Sequence, residues 1–251
     1  MNIIVAMKQI PDLQQIRIRN RQPIFDDIPL TFGNIDKNAL EAGVLLKEQL
    51  GGKLIVLSAG SQELEDTVKE ALAAGADEAV LIIGDNLTNI DGSLVSQLLA
   101  VAIKDMEDVG IILFGEGSGD NYSGQVGSRV AEILDLPQVG YASSIDIKGS
   151  NAVITRSMDD YEEIVEVEMP VVITVLADIN EPRIPSVTQI LKAGRKPKQV
   201  LELQELGIDL SNAPRVVTVN NLAPENARKQ VKVDSAEELI QLLKTEGLIG
   251  G

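Results

Sequence analysis

The segment from Leu113 to Leu134, LFGEGSGDNYSGQVGSRVAEIL, contains the residues whose types and spacing are best suited to binding chemistry. An apolar run ends at Phe114, three glycines follow at alternate positions, and a polar stretch leads into a sequence with helical periodicity. A strand, a glycine-rich turn and a helix start together favour an anion site, because backbone N–H groups and the positive helix end face the ligand. The segment is not a P-loop, which ends in Gly-Lys-Ser/Thr. Nor is it a GxGxxG fingerprint, since Asp120 stands where the third glycine is required.

Two residue types that carry much of protein chemistry at neutral pH are absent from the sequence. It contains no cysteine and no histidine. This excludes thiolate nucleophiles, disulfides, Cys-ligated zinc, protein-ligated iron–sulfur clusters and Ser/His/Asp catalysis. We therefore expect no catalytic residue and no metal site, and any redox chemistry must be carried by a bound cofactor.

Composition and charge narrow the class of protein further. The chain is 44% hydrophobic but only 2% aromatic, so its core must be aliphatic. A net charge of −16 argues against nucleic acid and anionic membrane surfaces as partners. The start, MNIIVAMKQIPD, acquires charge too early for a signal peptide, and no apolar run reaches the roughly 18 residues of a membrane helix. We expect a cytoplasmic protein without membrane insertion.

The elements that would position the glycine-rich segment alternate between strand and helix. The predicted strands are 2–7, 53–57, 78–83 and 110–114, and the predicted helices are 36–50, 63–74 and 91–106. This alternation predicts an α/β fold with a doubly wound, mostly parallel sheet. Ligands of such sheets bind at the carboxyl ends of strands, where turns follow Met7, Leu57 and Phe114.

The pattern changes beyond residue 140. Strands at 144–147 and 152–155 flank the turn sequence KGSN and predict an antiparallel extension, which 163–168 (EIVEVE) continues. Later residues are punctuated by proline and contain few apolar positions, apart from a helix predicted at 236–245. We expect an α/β domain at residues 1–195, and a C-terminal arm at residues 196–251.

Five segments, in order along the chain, resemble the β subunit of electron transfer flavoproteins. They are VAMKQIPD (5–12), NIDKNALEAGVLLKE (34–48), ALAAGADEAVLI (71–82), GDNYSGQVG (119–127) and EMPVVITVLADINEPRIPSVTQILKAGRKP (168–197). Each segment alone is weakly diagnostic, but five in order and spacing are specific, and they cover roughly residues 1–200. Ile35 departs from the family's proline after Asn34. The stretch GEGSGDNY is most similar to Fix-type bacterial β subunits, which are associated with reduction of carnitine and other CoA thioesters.

The resemblance implies an adenine-nucleotide-binding fold and a heterodimer with an α subunit that carries the electron-transferring FAD. In conventional members the β site holds AMP with a structural role. In electron-bifurcating members it holds a second FAD, which NADH reduces and which passes one electron to ferredoxin or flavodoxin and one to the α-subunit FAD. We favour FAD, because the Gly/Ser-rich loop leaves room for a longer ligand and Val126-Gly127 resembles the bifurcating pattern; AMP is the alternative. The resemblance implies an electron-transfer subunit and leaves open whether the complex acts as an NADH-dependent enzyme.

The resemblance also assigns residues to the nucleotide site. Lys8 either neutralises phosphate or is a solvated strand end. Asn34 and Asp36 are expected to contact the nucleoside, and the alternative, a helix N-cap role, is compatible with that contact. The glycine-rich segment and the turn at Ala59-Gly60 each have the alternative of a plain connection between elements. The expected cofactor-binding residues are Ala6, Lys8, Asn34, Asp36, Ala59, Gly60, Asp120, Asn121, Tyr122, Ser123, Gly124, Gln125, Val126, Gly127 and Ser128.

A second candidate surface lies in the basic segment 183–198. Its cations are Arg183, Lys192, Arg195, Lys196 and Lys198. They form either a solvated charge run or part of the segment that, by resemblance, docks the acyl-CoA dehydrogenase or CoA-thioester reductase partner. In the docking interpretation Val187 is an apolar anchor, with Ile184 and Ile190 beside it. The C-terminal arm is expected to lie on the α subunit, because it has too few apolar residues to fold alone.

Two functions from other classes compete with this interpretation. An ATP-binding domain of stress-protein or pyrophosphatase type requires a triphosphate motif after the first strand, where this sequence reads MKQIPD. A structural partner protein with an empty site is the other alternative.

Overall fold

The computed structural model describes residues 1–84, 87, 90–208, 216–225 and 230–249. Within these residues the strands are β1 (Asn2–Ala6), β2 (Gln9–Pro11), β3 (Arg17–Arg19), β4 (Gln22–Ile24), β5 (Leu30–Phe32), β6 (Lys53–Gly60), β7 (Glu78–Ile83), β8 (Val109–Gly115), β9 (Gln138–Lys148), β10 (Asn151–Ser157), β11 (Glu162–Glu168), β12 (Val171–Val175) and β13 (Lys198–Glu202). The helices are α1 (Asn34–Leu50), α2 (Leu64–Ala74), α3 (Gly92–Lys104), α4 (Val126–Leu134), α5 (Val187–Ala193) and α6 (Ala236–Thr245).

One large sheet organises the described residues. Its strand order is β11-β10-β9-β12-β8-β1-β6-β7-β13. From β9 to β13 every neighbouring pair is parallel, while β10 is antiparallel to both β9 and β11. The predicted doubly wound, mostly parallel sheet with an antiparallel extension is therefore confirmed.

The aliphatic composition of the central strands explains their position. Strand β1 buries Ile3, Ile4 and Val5 completely, because it lies between two parallel neighbours and under helices on both faces. Alternate residues of β1 belong to two separate core clusters: Ile3 and Val5 pack with α1 and α2, whereas Ile4 packs with α3 and α4. Helices α1 and α2 thus cover one face of the sheet, and helices α3 and α4 cover the other.

The last strand of the sheet lies beyond the predicted domain boundary at residue 195. Strand β13 (Lys198–Glu202) pairs in parallel with β7 and forms the sheet edge. It follows Pro197, and a proline at the start of a short edge strand removes no ladder hydrogen bond that the sheet needs. The basic, proline-punctuated sequence resembles a linker, and for that reason the pattern placed this strand in the arm.

The contacts divide the chain into two compact units. The first comprises Met1–Arg17 and Phe25–Val219, and contains the large sheet. The second comprises Ile18–Ile24 and Asn220–Gly251. Parts of the predicted arm, 209–215, 226–229 and 250–251, lie outside the described residues.

The described residues of the second unit include helix α6 and polar contacts of Arg21. The Nε of Arg21 donates to the carbonyl oxygen of Ala223 over 2.8 Å, and the same guanidinium pairs with Glu225. Helix α6 (Ala236–Thr245) has the predicted bounds and is capped by Ser235, whose hydroxyl accepts from the N–H of Glu238 at 3.1 Å. Among the described residues, no helix has the length and apolarity that crossing a bilayer would require.

Candidate functional site

The chain reverses its direction across the sheet at strand β1. From β1 it continues outward through β6 and β7, and then returns to form β8 on the other side of β1. The carboxyl ends of β1 and β8 therefore leave a crevice at the switch point, where open α/β sheets bind ligands. Ala6 ends β1, in register with Leu57 of β6 and Phe114 of β8. Several of the residues singled out by sequence converge on this place.

Asp36 joins three elements at the crevice. It lies in the first turn of α1, is only 7% exposed, and its Oδ2 accepts the backbone N–H of Lys8 at 2.8 Å. It also accepts a hydrogen bond from the backbone of Gly115 at the end of β8. Burial raises the pKa of Asp36 to about 7, although the hydrogen bonds from Lys8 and Gly115 oppose the shift.

This position differs from the helix-capping alternative for Asn34 and Asp36. Helix α1 has Gly33 at its N-cap, without a side-chain capping bond, and Asn34 is its exposed first residue. The carboxylate of Asp36 reaches the backbone of other elements, so its role is to hold the ends of β1 and β8 together.

Gly115 is required for this close approach. A Cβ atom at residue 115 would lie 2.6 Å from Oδ1 of Asp36 and 3.1 Å from the backbone of Ile35 and Asp36. Those distances are shorter than packed carbon contacts allow, so only glycine fits between β8 and the start of α1. Gly115 was outside the predicted set, although its position directly after an apolar run is the signal that could have identified it.

Lys8 connects the crevice to the glycine-rich loop. Its Nζ lies 2.5 Å from Oδ2 of Asp120, and both side chains are partly exposed, at 44% and 32%. Burial raises the pKa of the Asp120 carboxyl, but the hydrogen bond and the positive charge of Lys8 oppose this effect, and the pKa is lowered overall. Lys8 therefore lies at an exposed strand end and also tethers the glycine-rich loop.

The loop 116–125 folds back on itself beside this ion pair. The N–H of Tyr122 donates to the carbonyl of Ser118 at 2.9 Å, and the Ser118 hydroxyl donates to Oδ1 of Asn121 at 2.9 Å. The phenol of Tyr122 donates to the carboxylate of Glu116. Gly124 has φ +62°, a conformation that glycine adopts without strain. Glu116 is a further residue of this loop that sequence reasoning did not single out.

Helix α4 begins against the ends of β8 and β12. A Cβ atom at Gly127 would lie 2.7 Å from Cγ2 of Thr174 and 3.4 Å from the ring of Phe114, so glycine allows the helix start to pack on the strand ends. The side-chain oxygen of Gln125 accepts from Arg129 rather than from the helix start. The first N–H groups of α4, at Val126, Gly127 and Ser128, are therefore placed as an anion-binding helix terminus requires.

The remaining predicted residues lie around the same edge. Ala59 and Gly60 end β6, the neighbour of β1, and the Cβ position of Gly60 is 3.4 Å from Oε1 of Gln9. The Ser123 hydroxyl lies 3.9 Å from the Cβ position of Gly92, at the start of α3. The predicted cofactor-binding set is thus distributed along one edge of the sheet, with Lys8, Asp36 and Asp120 at its centre.

The second candidate surface is a braced segment, residues 180–196. At its start the Asn180 side-chain N–H donates to the carbonyl of Asn38 at 3.0 Å, and Nε of Arg183 lies 2.8 Å from Oε2 of Glu41. At its end Lys196 donates to the carbonyl oxygens of Leu72 and Ala76 at 2.7 and 2.6 Å. Both ends are therefore fixed to the body of the first unit.

Between these ends the braced segment presents apolar side chains to solvent. Ser186 caps α5 through a capping box with Gln189. Ile184 is 94% exposed, Val187 73%, Ile190 57% and Leu191 74%. The structure brings the three predicted partner-binding residues together on one surface, and adds Leu191 to them.

Two of the cations in this segment are structural. Arg183 also pairs with Glu48 at 2.7 Å, and this hydrogen bond lowers the pKa of Glu48. Burial lowers the pKa of Lys196, whose ammonium is directed at two carbonyl oxygens. The interpretation of residues 183–198 as a solvated charge run is therefore wrong for Arg183 and Lys196.

Comparison with known proteins gives the same family as the five sequence segments. A family described as the electron transfer flavoprotein domain matches residues 26–206. Two curated relatives named electron transfer flavoprotein subunit beta come from Thermoanaerobacterium thermosaccharolyticum, 33% identical over 97% of this chain and 96% of that protein, and from Bacillus subtilis, 35% identical over 99% and 100%. A third, the caffeyl-CoA reductase–Etf complex subunit CarD of Acetobacterium woodii, is 33% identical over 83% of this chain and 80% of that protein. The doubly wound sheet agrees with these comparisons. This chain therefore belongs to the electron transfer flavoprotein family, as a β subunit.

Proposed function

We propose that the switch-point crevice binds FAD, and that the chain passes electrons within a heterodimer with an electron transfer flavoprotein α subunit. The observation that supports this is the convergence of Lys8, Asp36, Gly115 and Asp120 beside the start of α4. An adenine nucleotide suits this set of groups, which comprises a cation, two hydrogen-bond acceptors, a glycine backbone and a helix N-terminus.

Groups of different charge in the crevice suit different parts of the nucleotide. The N–H groups at the start of α4 suit the pyrophosphate, since they present positive charge, whereas the Lys8 ammonium is paired with Asp120. The carboxylates of Asp36 and Asp120 are acceptors and suit ribose hydroxyls or the adenine amino group, since a phosphate beside them would be repelled. Gly124 lets the backbone approach the ligand without a side chain between them.

If bound, FAD would supply the redox chemistry, which is acceptance of hydride from NADH and release of single electrons. The protein binds and orients it, and no side chain has to act as acid, base or nucleophile. Electron bifurcation, with ferredoxin or flavodoxin as the second acceptor, is supported by the relative named as a subunit of a caffeyl-CoA reductase–Etf complex. The alternative is a conventional subunit with AMP in this site.

The braced segment is the proposed docking surface for an acyl-CoA dehydrogenase or CoA-thioester reductase. Its exposed apolar side chains are Ile184, Val187, Ile190 and Leu191. An apolar anchor that enters a partner's pocket contributes most of the binding energy of such contacts. We place the complex in the cytoplasm, where CoA thioesters and NADH are found together.

The nucleotide content of the purified heterodimer tests the proposal. Co-expression with the α subunit, followed by denaturation and chromatography of the released nucleotides, is expected to yield two FAD per heterodimer. One FAD and one AMP would refute FAD in this site and support the conventional alternative. One FAD and no second nucleotide would refute the crevice as a nucleotide site altogether.

A further inference from the structure

Tyr122 has an unusual position for an aromatic residue. The chain has three tyrosines, three phenylalanines and no tryptophan, so aromatic side chains are scarce. One of them lies in the glycine-rich loop, with φ +47°, a left-handed conformation that is unfavourable for a bulky side chain. Residues held in such conformations cluster at ligand sites, where the surrounding structure maintains them.

The Tyr122 ring has one covered face and one open face. A Cβ atom at Gly117 would lie 3.0 Å from Cγ of the ring and 3.1 Å from both Cδ atoms. Near-equal distances to these three atoms mean that a face of the ring rests on the Gly117 backbone. The residue is nevertheless 53% exposed, so the opposite face is open to solvent.

Several contacts hold the ring in this orientation. The phenol donates to the carboxylate of Glu116, and the backbone N–H of Tyr122 donates to the carbonyl oxygen of Ser118. The hydrogen bond to Glu116 raises the pKa of the phenol, which therefore stays protonated and continues to donate. Two residues earlier, Asp120 is tethered to Lys8 at the end of β1. The ring is thus preorganised in a loop that Asp120 anchors at the end of β1, which reduces the entropy lost when a ligand is bound.

We propose that Tyr122 is a stacking platform for the planar heteroaromatic ring of the nucleotide bound in the crevice. The proposal rests on the proposed function and goes beyond it by assigning ring recognition to one side chain. Aromatic stacking of a nucleobase is worth about 1–3 kcal/mol, or roughly 5- to 150-fold in affinity. The ring of the nucleotide that stacks on Tyr122 is either adenine or isoalloxazine, which are alike in planarity and π character.

Two nucleotides and two substitutions test the platform on the full chain. The dissociation constants of AMP and FAD are measured for the wild type, Tyr122→Leu and Tyr122→Phe, with folding checked by circular dichroism. The matched control is Tyr161→Leu, because Tyr161 is 56% exposed and lies in the turn between β10 and β11. We expect Tyr122→Leu to weaken binding roughly 5- to 150-fold, and Tyr122→Phe and Tyr161→Leu to stay within about threefold of the wild type.

The two ligands distinguish the two rings. Loss of affinity for both AMP and FAD in Tyr122→Leu identifies adenine as the stacked ring, and loss for FAD alone identifies isoalloxazine. The proposal is overturned if Tyr122→Leu binds both ligands as the wild type does, if Tyr122→Phe loses as much as Tyr122→Leu, or if Tyr161→Leu loses as much. A folded wild-type chain that binds neither ligand would refute the proposed function, and the platform with it.

Tyrosine emission gives a readout that a merely structural role would not change. Because the chain has no tryptophan, the variant Tyr141→Phe/Tyr161→Phe leaves Tyr122 as its only emitter, and Tyr122→Phe/Tyr141→Phe leaves Tyr161. Saturating AMP or FAD is expected to quench the first variant strongly and the second weakly, after correction for absorbance. Equal quenching of both variants would contradict a ring stacked on Tyr122.

Discussion

At the scale of single residues, Asp36 shows how the site depends on a buried charge. Its carboxyl group holds Lys8 and Gly115 by their backbones, and burial raises its pKa to about 7. The charged form is disfavoured by burial and favoured by the two hydrogen bonds, so the residue is close to half-ionised at neutral pH. The crevice therefore has a structural element whose charge changes in the physiological range.

The pKa of Asp36 predicts the pH dependence of stability in the ligand-free chain. The unfolded chain releases the Asp36 proton near pH 3.8, whereas the folded chain retains it up to about pH 7. Between these values the folded state binds more protons, so this residue's contribution to stability falls as pH rises from about 4 to about 7. Asp36→Asn removes that contribution, and we expect its free energy of unfolding to fall less between pH 5 and pH 8 than that of the wild type.

Urea unfolding at the two pH values measures this difference. One pKa unit corresponds to about 1.4 kcal/mol, so the difference between variant and wild type is expected to be a few kcal/mol at most. The exposed Asp159→Asn is the control and is expected to follow the wild type. An equal pH dependence in Asp36→Asn and the wild type would refute a raised pKa at this site.

At the scale of elements, the braced segment shows how an apolar surface is held in place. Arg183 joins its start to the buried carboxylate of Glu41 and the exposed carboxylate of Glu48 in α1, and Lys196 joins its end to the carbonyl oxygens of residues 72 and 76. Its central helix, α5, buries only Ala193 and exposes its other apolar residues. A helix that is fixed at both ends and apolar on its outer side is suited to docking.

Substitution of the central anchor tests this surface. Val187→Asp places a charge in the proposed interface and is expected to leave nucleotide content unchanged, while electron delivery to the acyl-CoA dehydrogenase partner falls below a tenth of the wild-type rate. Val200→Asp, at a residue 38% exposed on edge strand β13, is a control for a new surface aspartate. Wild-type turnover of the partner by Val187→Asp would exclude Val187 as the anchor.

The same scale shows what the sequence pattern could and could not predict. The central strands, α6 and the hairpin at KGSN were predictable, because they have aliphatic runs, helical periodicity or turn residues of their own. Helix α5 was missed because its apolar residues face solvent rather than a core, and β13 because it is short and follows a proline. The contacts of Lys8 with Asp36 and Asp120 span 28 and 112 residues. They depend on strand order, which local pattern does not contain.

At the scale of the whole molecule, the two units contribute differently to the core. Both hydrophobic clusters are built from residues of the first unit, up to Ile208. Within the second unit, Leu239 is 43% exposed, Ile240 46% and Leu248 66%. Exposed apolar residues on a small unit favour burial against another chain. We infer that the α subunit is the chain that buries them.

Removal of the C-terminal part of the second unit tests that inference. A chain that ends at Val219 is expected to keep the secondary structure and cooperative unfolding of the first unit, with a melting temperature within about 5 °C of the full chain, since the core clusters remain. It is also expected to lose stable association with the α subunit in size-exclusion chromatography. A truncated chain that still elutes as a heterodimer would assign the interface elsewhere.

The most direct test of the nucleotide site is Gly115→Ala in the heterodimer, compared with Gly194→Ala. A Cβ at residue 115 would lie 2.6 Å from Oδ1 of Asp36, whereas one at residue 194 meets nothing within 4 Å and the backbone there has φ −63°. The strain at residue 115 is expected to cost about 1–3 kcal/mol of stability and to separate the ends of β1 and β8. We expect a folded Gly115→Ala heterodimer to lose the nucleotide of the β site, and Gly194→Ala to retain it. Wild-type nucleotide content in Gly115→Ala would show that the crevice is not where the nucleotide binds.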